Sequence, residues 1–420
     1  MNKKLLIIVL SIVLLGIAAY FFIPKAKPQI HEVVLGKSGF RPESITVAKG
    51  DSIVFKTSEE AYFWPASDPH PIHDRYSEFD PKRRLEPGES WTFTPNKIGE
   101  WEFHDHLFPA FRGHLTVLNR KDFDIRQRVL TRDEVTRMVE KRGPEETYKN
   151  LKRIYDSNLA AAHSTFHILG EVLYSKFGVS GVFNCDDFAG FGCYHGLVIR
   201  AVSEKGVDIA QEIDKKCVEQ FGRLGLGCPH GIGHGLVEFF GYSNLEQALS
   251  ICAKLDWQGN LFGCAGGVFM EYNFRSVYKD GTATIATREA HGNLFEPCRS
   301  ISARFRDACY FEQASWWRET LNSDYARVGR FCSDLKNSEK DSCLLGLGNS
   351  VVESSFYDKE LLFEACGKMP DKYSEAICRT GGAWAFFSNP DKRSQSESVC
   401  NGLGNYETTC LDRRILVGEK

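Results

Sequence analysis

All fourteen cysteines of this 420-residue chain lie after residue 184, and they fall into seven consecutive close pairs. The pairs are Cys185/Cys193, Cys217/Cys228, Cys252/Cys264, Cys298/Cys309, Cys332/Cys343, Cys366/Cys378 and Cys400/Cys410, with partners 8 to 12 positions apart. First members follow one another at intervals of 32, 35, 46, 34, 34 and 34 residues. An even count, paired locally at a nearly fixed period, predicts helical hairpins that are each closed by one disulfide and stacked as a repeat. In each hairpin a helix is expected to end near the first cysteine, as in Asn244 to Cys252, and a glycine-containing helix to open at the second, as in Cys264-Ala-Gly-Gly. Zinc is the rival reading, because Cys193-Tyr-His195 and Cys228-Pro-His230 offer mixed sulfur and nitrogen ligands. The later pairs keep the spacing without any histidine, which favours disulfides. The one long interval predicts an insertion within Tyr272 to Pro297, a stretch that contains His291.

Persistent disulfides require an oxidising compartment, and the N-terminus offers a route to one. Met1-Asn-Lys-Lys precedes Leu5 to Ile23, nineteen residues without a charge, so residues 1–24 are expected to be a membrane anchor or signal, with a linker at 25–29. The body is then expected to be extracytoplasmic, at the cell surface or in the periplasm. A formal charge of −3 gives no electrostatic case for nucleic acid.

Residues 30–119 alternate in the strand manner, as in Ile45-Thr-Val, Ser52-Ile-Val-Phe, Ser90-Trp-Thr-Phe and His114-Leu-Thr-Val, which predicts a β-sandwich. Its phrases run Gly39-Phe-Arg-Pro-Glu-Ser-Ile-Thr-Val-Ala-Lys-Gly-Asp, Glu86-Pro-Gly-Glu-Ser-Trp-Thr-Phe, Gly99-Glu-Trp-Glu-Phe-His-Asp-His and Arg112-Gly-His-Leu-Thr-Val. In that order they resemble a cupredoxin. The resemblance implies a copper site built from an early loop histidine and a late Cys, His and Met cluster. Placing Gly113 on the family's glycine puts Phe103 on the cysteine, His106 on the late histidine and Phe111 on the methionine. No cysteine occurs in this region, so a blue-copper thiolate centre is excluded. An imidazole set remains. His104 and His106 share one strand face if the strand continues through them, and His70-Pro-Ile-His73 lies where the family carries its first histidine. Such a set suits copper, with zinc as the alternative.

Residues 120–158 read as a charged helical connector, in which Thr131-Arg-Asp-Glu134 is a capping box and Pro144 opens a second helix. Residues 159–420 read as an α-solenoid of about seven cysteine-paired repeats, similar in period to tetratricopeptide-type repeats and resembling Cys/His-rich extracytoplasmic proteins of unassigned role. The fold class is therefore multidomain, a cupredoxin-like β-sandwich followed by an all-α, disulfide-stapled helical-hairpin solenoid.

The histidines of the repeat region stop at His291. His163, His167 and Glu171 form a His-x3-His-x3-Glu phrase, and His230, His234 and Glu238 form another. Residues at i, i+4 and i+8 share a helix stripe, so each phrase offers two imidazoles and a carboxylate, with His195 on the helix between. The alternatives are a hydrogen-bonded polar ladder without metal and metal-free acid–base chemistry. The expected function is a membrane-anchored metal-binding protein with a copper-handling or redox role. The rivals are an interaction scaffold that presents a protein or small-molecule surface, with Trp316 and Trp317 among the contact residues, and a metal-dependent enzyme using the His-x3-His-x3-Glu helices.

Overall fold

The computed structural model describes residues 27–411 apart from 38, 59, 156–157, 187, 223–226, 256–260, 280–281, 356 and 390–391. The expected anchor, Leu5 to Ile23, lies outside the described residues, among which no helix is long and apolar enough to cross a membrane. Two compact units divide between Asp124 and Ile125.

The first unit is a sandwich of two four-stranded sheets. Strands β1 (Ile30–Gly36), β2 (Gly39–Arg41), β4 (Ser52–Thr57) and β6 (Ser90–Phe93) form one sheet in the order β2-β1-β4-β6. Strands β3 (Ser44–Ala48), β5 (Pro65–Ser67), β7 (Gly99–Asp105) and β8 (Phe108–Leu118) form the other, in the order β3-β8-β7-β5. Each sheet contains one parallel pair, β1 with β4 and β3 with β8. Alternation drives the packing. Val33, Leu35, Ile53, Phe55 and Phe93 of one sheet share a core with Val47, Phe103, Leu115 and Val117 of the other. Phe103 is its hub, with ring centroids 4.9 Å from Phe40, 5.3 Å from Phe79 and 5.6 Å from Phe55. It lies across Gly113, where any Cβ would stand 2.7 Å from the edge carbons of the Phe103 ring. Glycine is therefore required at 113.

The second unit is helical and disulfide-bonded. Stretch 120–158 begins with α1 (Arg120–Arg126), most of which belongs to the first unit, where Phe123 packs with Ala48 and Leu118, and it contributes α2 (Arg132–Arg142) and α3 (Pro144–Tyr155) to the second. The Thr131/Glu134 capping box is formed, and Pro144 opens α3. Leu130, Val135, Val139, Leu151, Ile154 and Tyr155 belong to the same apolar core as the repeats.

After α4 (Leu159–Phe177), every second cysteine lies in a helix. These helices are α5 (Gly192–Lys205), α7 (Gly227–Phe240), α9 (Cys264–Asn273), α10 (Arg306–Thr320), α12 (Ser338–Ser354), α14 (Lys372–Ser388) and α15 (Glu407–Leu411). The expected helix opening at the second cysteine holds for Cys193, Cys228 and Cys264 and fails for the other four. Cys309, Cys343 and Cys378 lie three, five and six residues inside α10, α12 and α14, and Cys410 is the next-to-last residue of α15. The physical reason lies in where helix starts are set. Asp371, for example, caps α14 by accepting the Ser374 amide, so that helix begins well before Cys378.

First cysteines end or nearly end a helix in four cases, α6 (Ile209–Phe221), α8 (Leu245–Cys252), α11 (Tyr325–Ser333) and α13 (Lys359–Cys366). Cys185 and Cys400 instead border short 3-10 turns, and Cys298 sits in a turn, so the full two-helix hairpin occurs only at those four pairs. All seven expected disulfides are present. Cys185–Cys193, Cys217–Cys228 and Cys252–Cys264 have Cα separations of 5.5, 5.9 and 5.5 Å. Cys298–Cys309 and Cys332–Cys343 both stand at 5.5 Å, and Cys366–Cys378 and Cys400–Cys410 at 5.6 Å. No free cysteine remains for zinc. Loops this short imply about 2–3 kcal/mol per bridge.

α4 and the second-cysteine helices pack in sequence order, α4 on α5, α5 on α7, α7 on α9, α9 on α10, α10 on α12 and α12 on α14. Glycines allow this approach. A Cβ at Gly233 would meet the Cys264 carbonyl and stand 2.7 Å from Val268 N, and one at Gly267 would meet the His230 carbonyl. Gly346, Gly348 and Gly381 interlock α10, α12 and α14 in the same way, with the Cys378 carbonyl lying where a Gly348 Cβ would go. The expected insertion is a β-hairpin, β9 (Phe274–Lys279) with β10 (Thr282–Thr287), and β10 returns to lie beside α4. Trp316 and Trp317 are buried, at 1% and 0% exposure, and donate their indole N–H groups to the Arg288 and Leu294 carbonyls, so neither presents a surface to a partner.

Candidate metal centres

Two histidine clusters form, one in each unit. In the sandwich, strand alternation sends Trp101 and Phe103 toward the core and Glu102 and His104 to the outer face of β7. His104 is nevertheless fully buried, because the loop 68–80 covers it. That loop is pinned from below. Phe79 stacks on Phe93 at 4.4 Å, and the buried Tyr76 hydroxyl receives the amides of Asn96 and Lys97. β7 stops at Asp105 with a register break after His104, so His106 lies in the turn beyond the strand, its ring tilted against Trp64 with centroids 4.3 Å apart. The expected shared strand face for His104 and His106 gives way to a bulge. The rings converge even so, and the four centroids of His70, His73, His104 and His106 stand 4.7–6.5 Å apart.

Donor atoms of His70, His104 and His106 lie within 4.8 Å of one another, and His73 Nε2 is 3.0 Å from His106 Nδ1. Two aspartates set the tautomers. His104 Nδ1–H donates to Asp68 at 2.6 Å, and His73 Nδ1–H donates to Asp80 at 2.6 Å. Carboxylates only accept, so both Nε2 atoms keep a lone pair for the cluster, the arrangement in which an outer carboxylate orients a ligating imidazole. His104 Nε2 is buried without a hydrogen-bond partner. Leaving such an atom unsatisfied costs about 1–3 kcal/mol unless a ligand takes it up.

The carboxylates are themselves held ionised. Burial alone would raise Asp80, but hydrogen bonds from His73, Trp64 and Lys82 bring it down to about 2. Asp68 is likewise lowered against burial, by Arg112 and His104. Burial lowers His104 against the opposing pull of Asp68, with His73 and His70 adding to the drop, and burial followed by His73 and His70 lowers His106, which favours neutral rings able to ligate. His70 is exposed, so one side of the cluster opens to solvent.

In the helical unit the two His-x3-His-x3-Glu phrases do not act as equal triads. Four-residue steps drift by about 40° around a helix, which spreads each phrase over different neighbours. His163 Nδ1 donates to the Ala189 carbonyl at 2.7 Å, and Glu171 pairs with Arg132 and His167. His230 turns away to the Phe262 carbonyl and Met270 Sδ. Glu238 stands 3.5 Å from His167 Nε2. What converges is His195, His234 and Glu271, whose donor atoms lie within 4.8 Å of one another on α5, α7 and α9. His291, in the insertion, is exposed beside Glu289 and belongs to neither cluster.

Glu271 is the residue that sequence reading missed. Its signal was weak, a lone glutamate seven positions after Cys264 in a helix without histidine. It is 1% exposed, accepts from Tyr242 Oη at 2.7 Å and lies 2.9 Å from His234 Nδ1. Burial and Glu271 raise the Tyr242 hydroxyl, so it stays a donor. Burial lowers His195 well below its ordinary value and takes His234 to about 3, so both rings are neutral. His195 is fully buried with neither ring nitrogen hydrogen-bonded.

No family model and no curated protein matches the chain. Solved structures similar to this chain include cupredoxins, matched over about a fifth of its length. A purple cupredoxin from Nitrosopumilus maritimus is 10% identical, with 21% of this chain and 99% of that one covered and a TM-score of 0.18. Plastocyanin from Dryopteris crassirhizoma is 25% identical over 21% of this chain and 99% of that one, TM-score 0.18. A Cu-containing nitrite reductase from Thermus scotoductus is 17% identical over 23% of this chain and 24% of that one, TM-score 0.19. Scores this low carry no ligand set to this chain, whose sites rest on its own residues.

Proposed function

We propose that this is an extracytoplasmic metal-binding protein whose β-sandwich holds copper on the imidazoles of His70, His73, His104 and His106, in a copper-handling or redox role. Seven disulfides support the compartment. The observation that carries the metal assignment is the pair of buried aspartate–histidine contacts, Asp68 with His104 and Asp80 with His73, which leave both Nε2 atoms to the cluster. An all-imidazole donor set suits Cu(II) without the thiolate chemistry of blue copper, because Phe103, aligned with the family's cysteine, is spent on the core. Bound copper would supply a Lewis-acidic, redox-active centre. The chain's part is to hold four imidazoles, two fixed by carboxylates, with His70 at the surface where an ion can enter or leave.

The test is copper binding by the full-length protein, read by elemental analysis and electron paramagnetic resonance. One tightly held Cu(II) with a nitrogen-ligated type 2 spectrum is expected, and the H104A/H106A double variant should lose it. Unchanged copper affinity in a folded double variant would refute the assignment.

A further inference from the structure

We propose that His195, His234 and Glu271 form a second metal centre, independent of the sandwich cluster, that takes a divalent zinc- or ferrous-type ion and leaves coordination positions for an exogenous ligand. Each donor stands on a different helix, and each helix is pinned near its start by a disulfide, Cys185–Cys193 for α5, Cys217–Cys228 for α7 and Cys252–Cys264 for α9. Glycine contacts then fix the helices against one another. Gly233 and Gly267 interlock α7 with α9, while Gly231 and Gly235 sit over Tyr194 and Val198 of α5. The three donors are thereby held on closely interlocked helices.

The donors are arranged as for a ligand. His195 is 1% exposed, has no hydrogen bond at either ring nitrogen, and stacks on His234 at 4.5 Å with its Nε2 3.9 Å from Glu271. A ring with two orphaned nitrogens has no purpose in a satisfied polar ladder. His234 Nε2 is orphaned as well. Glu271 is held by Tyr242, an outer hydrogen bond of the kind that orients a ligating carboxylate.

Donor chemistry narrows the ion. Two imidazoles and a carboxylate are the wrong set for calcium or magnesium, which take oxygen, and for Cu(I), which takes soft sulfur. Three protein ligands are also fewer than the four of a closed structural zinc site. Around the triad, His163 stands 5.1 Å and His167 6.4 Å from His195, ring to ring. His167 links to Glu171 and Glu238, whose side chains are 26% and 20% exposed, which gives a cation an acidic route inward. The β9–β10 hairpin leaves directly from α9 and returns beside α4, the two outermost helices of this cluster.

Cobalt(II) titration of the metal-stripped full chain, followed by its d–d absorption, tests the proposal. Expected are one equivalent that survives in H104A/H106A and is lost in H195Q and in E271Q, with Tyr242→Phe weakening that equivalent by about tenfold. The proposal is overturned if H104A/H106A abolishes all cobalt uptake, or if H195Q and E271Q chains with native circular dichroism bind as the parent does. Should both ligand variants misfold, Tyr242→Phe decides, and parental cobalt affinity in it overturns the proposal. Loss of copper alone in H104A/H106A bears on the sandwich site and leaves this one untouched.

Discussion

Gly233→Ala should loosen the helical unit at its candidate metal centre. The added Cβ would overlap the Cys264 carbonyl oxygen and stand 2.7 Å from Val268 N and 3.0 Å from Cys264 C. These are backbone atoms, so no side chain can swing aside. Cys264 is also tied to Cys252, which limits retreat of α9. The helices must separate by about an ångström along their contact, the upper end of the overpacking regime, ~3 kcal/mol. Alanine's better helix propensity offsets at most ~1 kcal/mol of that. Gly227→Ala is the control, because its Cβ would lie 3.7 Å from the Phe191 ring, an ordinary contact in the first turn of the same helix. For a unit of this size each kcal/mol moves the midpoint by about 2 °C. Thermal unfolding followed by circular dichroism should therefore show Gly233→Ala lowered by ~4–6 °C, with Gly227→Ala unchanged or raised. The same step should weaken cobalt binding, since His234 and Glu271 sit on the two helices forced apart. Equal midpoints for the two variants would refute the close approach of α7 and α9.

Glu312 is buried, and burial together with Glu353 raises its carboxyl well above the ordinary value. The folded chain thus keeps the proton longer than the unfolded chain does, so stability falls as pH rises from about 4.5 toward the folded value. Glu312→Gln should be more stable than the parent at pH 7 and nearly equal at pH 4, as denaturant midpoints would show; no gain at pH 7 would contradict a buried neutral acid. Asp51 has the opposite sign. Against burial, the Gln29 amide, His31, Arg120 and the Ala48 amide lower it, so its contribution is present above about pH 4 and fades as pH falls. Asp51→Asn should cost about 1–3 kcal/mol at pH 7 and less at pH 3, read by urea titration. Replacing Cys332 and Cys343 together by alanine should cost ~2–3 kcal/mol, measured by denaturant unfolding without reductant; a cost near zero would mean that the bridge does not constrain the unfolded chain.

The seven bridges were legible in the sequence because a disulfide joining residues 8 to 12 apart is a local event, specified by spacing alone. Where the helices begin was less legible, since Cys309, Cys378 and Cys410 lie inside or at the far end of helices whose starts are set elsewhere. The sandwich strands were legible because alternation encodes which face is buried. The four sandwich histidines could be named as a group, yet their partners could not. Asp68 and Asp80 became outer carboxylates only when loop 68–80 folded over the outer face of β7, and nothing local marks them among the chain's many acids. The helical cluster divides more sharply. Sequence placed His163, His167, His195, His230 and His234 on successive helices, but the rotation of each helix about its axis is set by which glycines meet which backbone. That rotation sends His230 to Met270, leaves His195 unsatisfied beside His234, and brings in Glu271 from a helix with no histidine. Composition and spacing determine which side chains a helix carries, whereas close packing between helices decides which of them share a space.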